Sequence, residues 1–309
     1  MSSGRFAPSP TGALHLGNLR TALVAWLAAR STGSPFWLRI EDLDPVASSA
    51  LHEESQRRDL AALGLDWEPS VVRQSARSGP YADALAALQS LGLVYPCWCS
   101  RREIAEATQA PNRPDLPEGA YPGTCLQLSA SQVASRLETG RPPALRLRAA
   151  GVSRPFVDVV HGPFSGVVDD FVLRRVDGMH AYNLAVVVDD AAQGVEQVVR
   201  GDDLLASTPR QILLAELLGL PVKDWAHVPL VLGADGSRLA KRDGAVTLAD
   251  QASAGRSAAW VCGLLARSLG LVESVVSVLP GELLDGFSLA RLPTSPWTPP
   301  VDALRGTQT

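Results

Sequence analysis

Residues 5–20 constrain the fold of this chain more than any other stretch. A short extended run leads into a turn-rich segment that contains two prolines and a glycine, and an apolar segment follows. From there leucines recur at helical spacing, at Leu16, Leu19, Leu23 and Leu27. The pattern predicts a strand, a tight loop and a helix.

His15 and Gly17 lie near the start of this predicted helix. The first turn of a helix has free backbone N–H groups and the positive end of the helix dipole, which together bind phosphate. Glycine lets a flat ring or a phosphate approach the backbone, and histidine can donate to a phosphate oxygen. These residues indicate a nucleotide site. The alternative is an ordinary strand–turn–helix of a doubly wound domain whose histidine faces solvent.

The rest of the core alternates between strand and helix patterns. Predicted strands cover residues 36–40, 185–188, 195–200 and 227–232, and predicted helices cover residues 51–63, 78–91 and 207–218. Such alternation predicts a parallel sheet that binds ligands at the carboxyl ends of its strands. Glu41 follows a strand, where it can hold an ammonium group. As a lone acid in a loop it can equally be solvated.

Composition narrows the class of protein. With 309 residues, 46% of them hydrophobic and 19% charged, the chain suits a globular protein of about two domains. We expect no secretory signal and no membrane span, and therefore a cytoplasmic protein. We also expect a monomer. A net charge of −4 does not favour a nucleic-acid partner. Neither a Walker A nor a Gly-x-Gly-x-x-Gly pattern occurs, so the sequence supports neither a P-loop enzyme nor a dinucleotide oxidoreductase.

Residues 96–176 interrupt the alternation and are interpreted as an insertion between two halves of a nucleotide-binding fold. The insertion contains Cys97, Cys99 and Cys125. A Cys-x-Cys pair with a distant third cysteine is typical of a structural zinc site, although the cysteines can also be plain buried thiols. The candidates for a fourth ligand are Tyr121, Glu118 and the remote His161.

A basic loop, residues 233–242, follows the last predicted strand and contains Arg238, Lys241 and Arg242. Cations beyond the carboxyl end of a strand can clamp a polyphosphate and stabilise charge in a transition state. A solvated surface loop is the alternative.

Together these motifs resemble class I aminoacyl-tRNA synthetases of the glutamyl type, and among them the glutamyl-queuosine tRNA(Asp) synthetases. Residues 15–18 stand at the family's ATP-binding HIGH sequence, and residues 238–242 stand at its mobile KMSKS loop. The departures are Asn18 for the closing histidine, and Arg238 and Ala240 for a lysine and a serine. The resemblance covers about residues 4–250, and other positions that follow the glutamyl pattern are residues 170–173, Tyr182, Asp189, Asp190 and residues 198–210.

The resemblance implies an α/β fold: a class I synthetase core of Rossmann type with a parallel sheet, a zinc-binding insertion and a short C-terminal helical part. Residues 1–95 and 177–250 would form the two halves of the catalytic core. Residues 96–176 would form the inserted acceptor-type subdomain. Residues 251–309 would form a short helical region with a proline-rich tail, in which Cys262 is a core residue.

It also implies the site residues. ATP would bind with Mg²⁺ at His15, Gly17, Asn18 and Lys241, and His15 and Lys241 would be catalytic. One structural zinc would be held by Cys97, Cys99, Tyr121 and Cys125. Arginines can pair with the two carboxylates of glutamate and Glu41 with its ammonium, but the sequence does not show which arginine holds which carboxylate. The implied glutamate pocket consists of Arg5, Phe6, Ala7, Pro8, Ser9, Glu41, Tyr182 and Arg200.

The expected reaction is the activation of L-glutamate with ATP, without tRNA, followed by transfer of glutamate to queuosine in the anticodon of tRNA(Asp). The queuosine acceptor is expected because too little chain follows residue 250 for the large helical anticodon-binding region of a glutamyl-tRNA synthetase. The alternatives are an enzyme that charges a tRNA 3′ end, a nucleotidyltransferase, and a non-catalytic paralogue that binds glutamate or RNA.

Overall fold

The computed structural model describes residues 2–108, 120–233, 235–237 and 246–300. The strands are β1 Gly4–Phe6, β2 Phe36–Ile40, β3 Val72–Arg73, β4 Val94–Cys97, β5 Ala144–Leu147, β6 Ser153–Asp158, β7 Gly162–Val167, β8 Val172–Arg174, β9 Gln197–Gly201 and β10 Asp224–Val228. The helices are α1 Leu16–Arg30, α2 Ala50–Ala62, α3 Ser78–Ser90, α4 Arg101–Thr108, α5 Ala130–Glu138, α6 Tyr182–Ala192, α7 Thr208–Leu217, α8 Leu248–Ser253 and α9 Ala258–Ser268. Within these ranges no helix is both long and apolar enough to cross a membrane.

The predicted strand, loop and helix of residues 5–20 are confirmed as β1, a loop and α1. All four leucines that gave the helical spacing are fully buried in the main core. Burial of each such side chain contributes about 1.5–3 kcal/mol. The hydrophobic face of α1 therefore fixes where the loop and the helix start lie.

The predicted parallel sheet is confirmed, in two parts that meet at β1 and β9. Strands β1, β2 and β3 pair in parallel, and β9 pairs in parallel with β10. The Ser3 carbonyl accepts hydrogen bonds from Glu196 N and Gln197 N, at 3.0 and 3.1 Å. This contact sets β1 beside β9, so the carboxyl ends of β1, β2 and β9 lie at one edge.

The prediction of a strand at residues 185–188 is wrong, because these residues lie inside α6. A short apolar run is compatible with a buried strand or a buried helix, and the sequence pattern does not separate the two. The helix is buried on several sides, since Leu184 and Val186 are fully buried and so are Asp189 and Asp190. Asp189 and Asp190, which follow the apolar run, are thus helical residues inside the protein.

The predicted strand at residues 227–232 ends earlier than expected, at Val228. Pro229 follows, and proline has no N–H to donate to a ladder. The chain then pairs with the C-terminal segment: Trp297 N donates to Leu230 O at 2.9 Å, and Leu232 N donates to Trp297 O at 2.8 Å. The segment that leads into the basic loop is therefore supported by the end of the described chain.

The region predicted as an insertion contains a second, antiparallel sheet. Its order is β4-β5-β8, and α4 and α5 belong to the same stretch of chain. The hairpin of β6 and β7 instead joins the core sheet, because β6 pairs with β10 at Asp158 and Trp225. Cys262, on α9, is fully buried in the main core, as expected.

Candidate active site

A cleft of about 490 Å³ opens at the edge where β1, β2 and β9 end. Val228 to Val231 line its other side. Lys241, the remaining predicted site residue of the cleft, lies outside the described residues. The predicted residues that line the cleft are Arg5, Phe6, Ala7, Pro8, Ser9, His15, Gly17, Asn18, Glu41, Tyr182 and Arg200.

His15 caps the N-terminus of α1. Its Nδ1 accepts from the backbone N–H groups of Gly17, at 3.1 Å, and Asn18, at 3.3 Å, while Asn18 Oδ1 accepts from His15 N at 3.2 Å. An accepting Nδ1 carries no proton, so the neutral ring carries its proton on Nε2 and can donate there. Asn18, which departs from the family's histidine, therefore completes a capping box.

Gly17 packs directly against the imidazole ring. A Cβ at this position would lie 2.9 Å from His15 Cε1 and 3.0 Å from its Nδ1. A side chain would displace the ring or the loop. The local sequence thus needs a glycine two residues after the histidine for a steric reason.

The described residues on either side of the basic loop both lie beside the start of α1. Leu16 N donates to Val246 O at 3.0 Å, and His15 forms a β-bridge with Thr247. At the other end, Val231 Cβ lies 3.5 Å from where a Cβ of Gly17 would be. Both ends of the loop are therefore anchored at the cleft.

A buried network of ion pairs includes two residues of the cleft lining, Arg5 and Glu41. Arg39 donates to Asp190 Oδ1 at 2.6 Å and to Glu41 Oε1 at 3.2 Å, and Arg5 Nε donates to Asp190 Oδ1 at 3.2 Å. Asp189 accepts hydrogen bonds from Gln74, Arg77 and Tyr81, and Arg39 Nε lies 4.0 Å from its Oδ2. Burial opposes the ionisation of Asp190, but the two arginines hold its pKa below the usual range.

The Glu41 carboxyl belongs to the same network, but its pKa shifts in the opposite direction to that of Asp190. Burial raises the pKa of Glu41, and the positive charges of Arg39 and Arg5 oppose that rise. Glu41 N donates to Pro8 O at 3.0 Å, which ties the end of β2 to the loop after β1. A further cation in the cleft would favour the ionised carboxylate.

Arg200 has neutral hydrogen-bond partners, in contrast to Arg5. It donates to His227 Nε2 at 3.1 Å, to Gln211 Oε1 at 2.7 Å and to Thr208 Oγ1 at 2.8 Å, with a fourth bond to a backbone carbonyl at 3.3 Å. Burial lowers the pKa of Arg200, and Tyr182 interacts with it. The result is a buried positive charge in the cleft wall that, among the described residues, has no carboxylate in direct hydrogen-bonding contact.

The three cysteines of the insertion form one cluster, with their sulfur atoms within 4.8 Å of one another. Tyr121 Oη lies 3.3 Å from Cys97 Sγ and 3.5 Å from Cys99 Sγ, and Cys99 and Cys125 Sγ are 3.5 Å apart. Four ligands around a tetrahedral zinc would place sulfurs about 3.8 Å apart. The arrangement is compatible with metal binding.

His161, another candidate for the fourth ligand, is not part of this cluster. His161 is oriented by the turn after β6, and its Nε2 lies 3.9 Å from Asp202 Oδ2. Glu118 lies outside the described residues. Tyr121 Oη also accepts from Cys125 N at 2.8 Å, so the backbone holds the phenol oxygen within the cluster.

A family model of tRNA synthetases class I (E and Q), catalytic domain, matches residues 3–259. The chain belongs to this synthetase family. A glutamyl-Q tRNA(Asp) synthetase of Nocardia farcinica is 60% identical, over 96% of this chain and 92% of the relative. One from Symbiobacterium thermophilum is 48% identical, over 98% of each chain. A glutamate–tRNA ligase 1 of Halorhodospira halophila is 41% identical, over 97% of this chain but 65% of the ligase.

Solved structures agree with the fold of this class I synthetase. A crystal structure of a glutamate tRNA ligase from Elizabethkingia meningosepticum, in complex with its amino acid, superposes with a TM-score of 0.82. It is 25% identical, and the match covers 98% of this chain and 68% of that structure. The predicted class I fold and membership in an aminoacyl-tRNA ligase family are thereby confirmed.

Several residues that build this synthetase's cleft were not identified from the sequence. Arg39 is one, although an arginine inside the apolar strand β2 is itself a signal, because a buried charge requires a partner. Gln56 is another: its Nε2 donates to Ser9 O at 3.0 Å and Gly12 O at 2.7 Å, which holds the loop. His227 and Asp158, behind Arg200, gave no local pattern.

Proposed function

We propose that this chain activates L-glutamate with ATP, without tRNA, and transfers the glutamate to queuosine in the anticodon of tRNA(Asp). The names of the Nocardia and Symbiobacterium relatives, which match over nearly their whole length, support the acceptor. In the first step a carboxylate oxygen of glutamate attacks the α-phosphorus of ATP and pyrophosphate leaves. In the second, a hydroxyl of the queuosine cyclopentenediol attacks the activated carbonyl and AMP leaves.

The observation that carries the amino-acid assignment is the unequal charge balance of the two arginines. Arg5 is paired with Asp190, whereas the hydrogen-bond partners of Arg200 among the described residues are neutral. A buried guanidinium with neutral hydrogen-bond partners selects an anionic ligand group, since a neutral one leaves the charge without a direct partner. Tyr182 adjoins Arg200, and Glu41 offers the carboxylate for an ammonium group. Glutamate supplies both kinds of group.

The nucleotide is proposed to bind at the start of α1. His15 Nε2 would donate to phosphate, the α1 N-terminus would add its backbone dipole, and Gly17 leaves space for close approach. Lys241, together with the Mg²⁺ that accompanies ATP, would stabilise charge on the transferring phosphates. The anchoring of both loop ends beside His15 supports this role.

The cysteine cluster is proposed to hold one zinc ion through Cys97, Cys99, Tyr121 and Cys125. Zinc there would be structural, because all four positions are supplied by the protein. Metal analysis of chelator-free protein should give about one zinc per chain. Cys97→Ser should lose the metal, whereas Cys262→Ser, in the core far along the sequence, should keep it. A folded, active protein without zinc would contradict this proposal.

Glutamate-dependent exchange of pyrophosphate into ATP, without added tRNA, tests the first step. Arg200→Leu should nearly abolish exchange while ATP still binds, and glutamine should be a poor substitute for glutamate. Efficient glutamine activation, or unimpaired exchange in the variant, would contradict the glutamate assignment. A requirement for tRNA would instead favour an enzyme that charges a 3′ end.

A further inference from the structure

A buried chain of hydrogen bonds lies behind Arg200. The Asp158 carboxylate contacts His227 Nδ1 at 2.6 Å, and His227 Nε2 contacts Arg200 Nε at 3.1 Å. His227 is 0% exposed and Asp158 is 1% exposed. Neither residue lines the cleft, so any effect on a ligand acts through the arginine.

The hydrogen bonds determine which ring nitrogen of His227 carries the proton. Arg200 can only donate, so Nε2 must accept, and the proton of a neutral ring then lies on Nδ1. Burial lowers the pKa of His227, which keeps the ring neutral. Burial opposes the ionisation of Asp158, but the hydrogen bond from His227 holds its pKa below the usual range, so the carboxylate accepts the Nδ1 proton. Thr208 Oγ1, 3.2 Å from Nε2, can donate to the same lone pair.

The backbone fixes the orientation of Asp158. Its Oδ1 accepts from the backbone N–H groups of Val160 and His161, both at 3.0 Å, and of His227 at 3.3 Å. Its Oδ2 is the oxygen that faces the imidazole. An asparagine at this position would keep its carbonyl oxygen toward the three N–H groups. Its NH₂ group would therefore face His227 Nδ1.

We propose that Asp158 and His227 are positioning residues that hold the Arg200 guanidinium in place for a ligand carboxylate by fixing the histidine tautomer. This inference rests on the proposed role of Arg200 in glutamate binding. Bonds to His227, Gln211, Thr208 and Leu204 use four of the five N–H groups of Arg200, and Tyr182 also bonds to it, so the protein largely fixes the orientation of the guanidinium. If His227 Nε2 carried the proton, its N–H would face the Nε–H of Arg200. The repulsion between these two donors would turn the guanidinium.

Asp158→Asn tests this directly, because it keeps the shape of the side chain and reverses one hydrogen bond. The asparagine NH₂ would donate to Nδ1 and move the histidine proton to Nε2. We expect the KM for glutamate in pyrophosphate exchange to rise about 10- to 100-fold, as for the loss of a hydrogen bond to a charged group. The KM for ATP should stay within about twofold. Discrimination between glutamate and glutamine should weaken.

Asp170→Asn is the matched control. Asp170 is also buried and accepts from a backbone N–H, of Ala149 at 2.7 Å, and from a side chain, Tyr95 at 2.6 Å, but neither of these partners bonds to Arg200. This variant loses a buried carboxylate in the same way. Its KM for glutamate and its glutamate–glutamine discrimination should match the parent protein.

Nitrogen NMR of protein labelled on its histidine rings reads the tautomer without any activity. The His227 signal, assigned as the one lost in His227→Gln, should report the Nδ1–H tautomer in the parent and the Nε2–H tautomer in Asp158→Asn. An unchanged tautomer, or a changed tautomer with the parent KM for glutamate, would overturn the inference and leave the proposed function standing. A parent protein that fails to activate glutamate would overturn both.

Discussion

Replacement of Arg39 by leucine tests the buried network that supports the cleft. Arg39 is fully buried and donates to Asp190, Glu41 and Gln193. Breaking a buried ion pair by removing one partner costs about 3–5 kcal/mol, because a charge is left without compensation. Asp190 would keep Arg5, and Glu41 can take up a proton. We therefore expect a loss near the lower limit, about 3 kcal/mol in the free energy of unfolding.

Urea unfolding of Arg39→Leu at neutral pH measures this loss, and Arg30→Leu is the control. Arg30 also pairs with two carboxylates, but Asp66 is 70% exposed and Glu68 is 29% exposed. Pairs of this kind contribute about 0–1 kcal/mol. If Arg39→Leu is no more destabilised than Arg30→Leu, the network does not support the cleft as described.

The pH dependence gives a second check. The pKa of Asp190 is lowered in the folded protein, so its stabilisation is complete above the unfolded value of about 3.9 and is lost as pH falls through the folded value. Arg39→Leu removes part of that lowering. The stability difference between parent and variant should hence be full near pH 7 and shrink below about pH 4. A difference that grows in acid would refute the assignment.

Three other changes have expected results. Gly17→Ala should raise the KM for ATP, because its Cβ would lie 2.9 Å from the capping imidazole. Gly79→Ala should not, because its added Cβ would meet no atom of the described residues within 4 Å beyond its own local backbone; equal effects would argue against the helix start as the ATP site. Lys241→Ala should slow glutamyl-adenylate formation strongly with little change in glutamate binding, and a parent-like rate would make Lys241 a surface charge. Trp297→Pro should lower the free energy of unfolding by at least about 1–3 kcal/mol, because it leaves Leu230 O without its donor and removes an indole that packs against the main core. Unchanged urea unfolding would show that this pairing is unimportant.

Local patterns predicted those parts of the fold that depend on neighbouring residues. The leucine spacing of α1 and the apolar strand β2 carry their own periodicity, so both were predicted correctly. Residues 185–188 were assigned wrongly because an apolar run has no period when every side is buried. The same segment makes long-range contacts that no local pattern contains, such as Arg39 with Asp190, 151 positions apart.

The candidate site likewise contains residues that local patterns predicted and residues that only long-range contacts bring together. His15 and Gly17 lie close in sequence, and their spacing was sufficient to indicate a helix-start site. Tyr121 joined the cysteine set only through the family resemblance, since a phenol is an uncommon metal ligand and spacing alone left three candidates. The Asp158–His227 pair, 69 positions apart, could not be predicted because only the pairing of β6 with β10 brings the two together.

The identity of the acceptor is the central claim, and one measurement tests it most directly. Labelled glutamate and ATP are supplied with tRNA(Asp) that either carries or lacks queuosine, and tRNA-bound label is measured before and after removal of the 3′-terminal nucleotides. The proposed function predicts label only on tRNA that carries queuosine, and label that remains after the 3′ end is removed. Label on tRNA without queuosine, or label lost with the 3′ end, would contradict it.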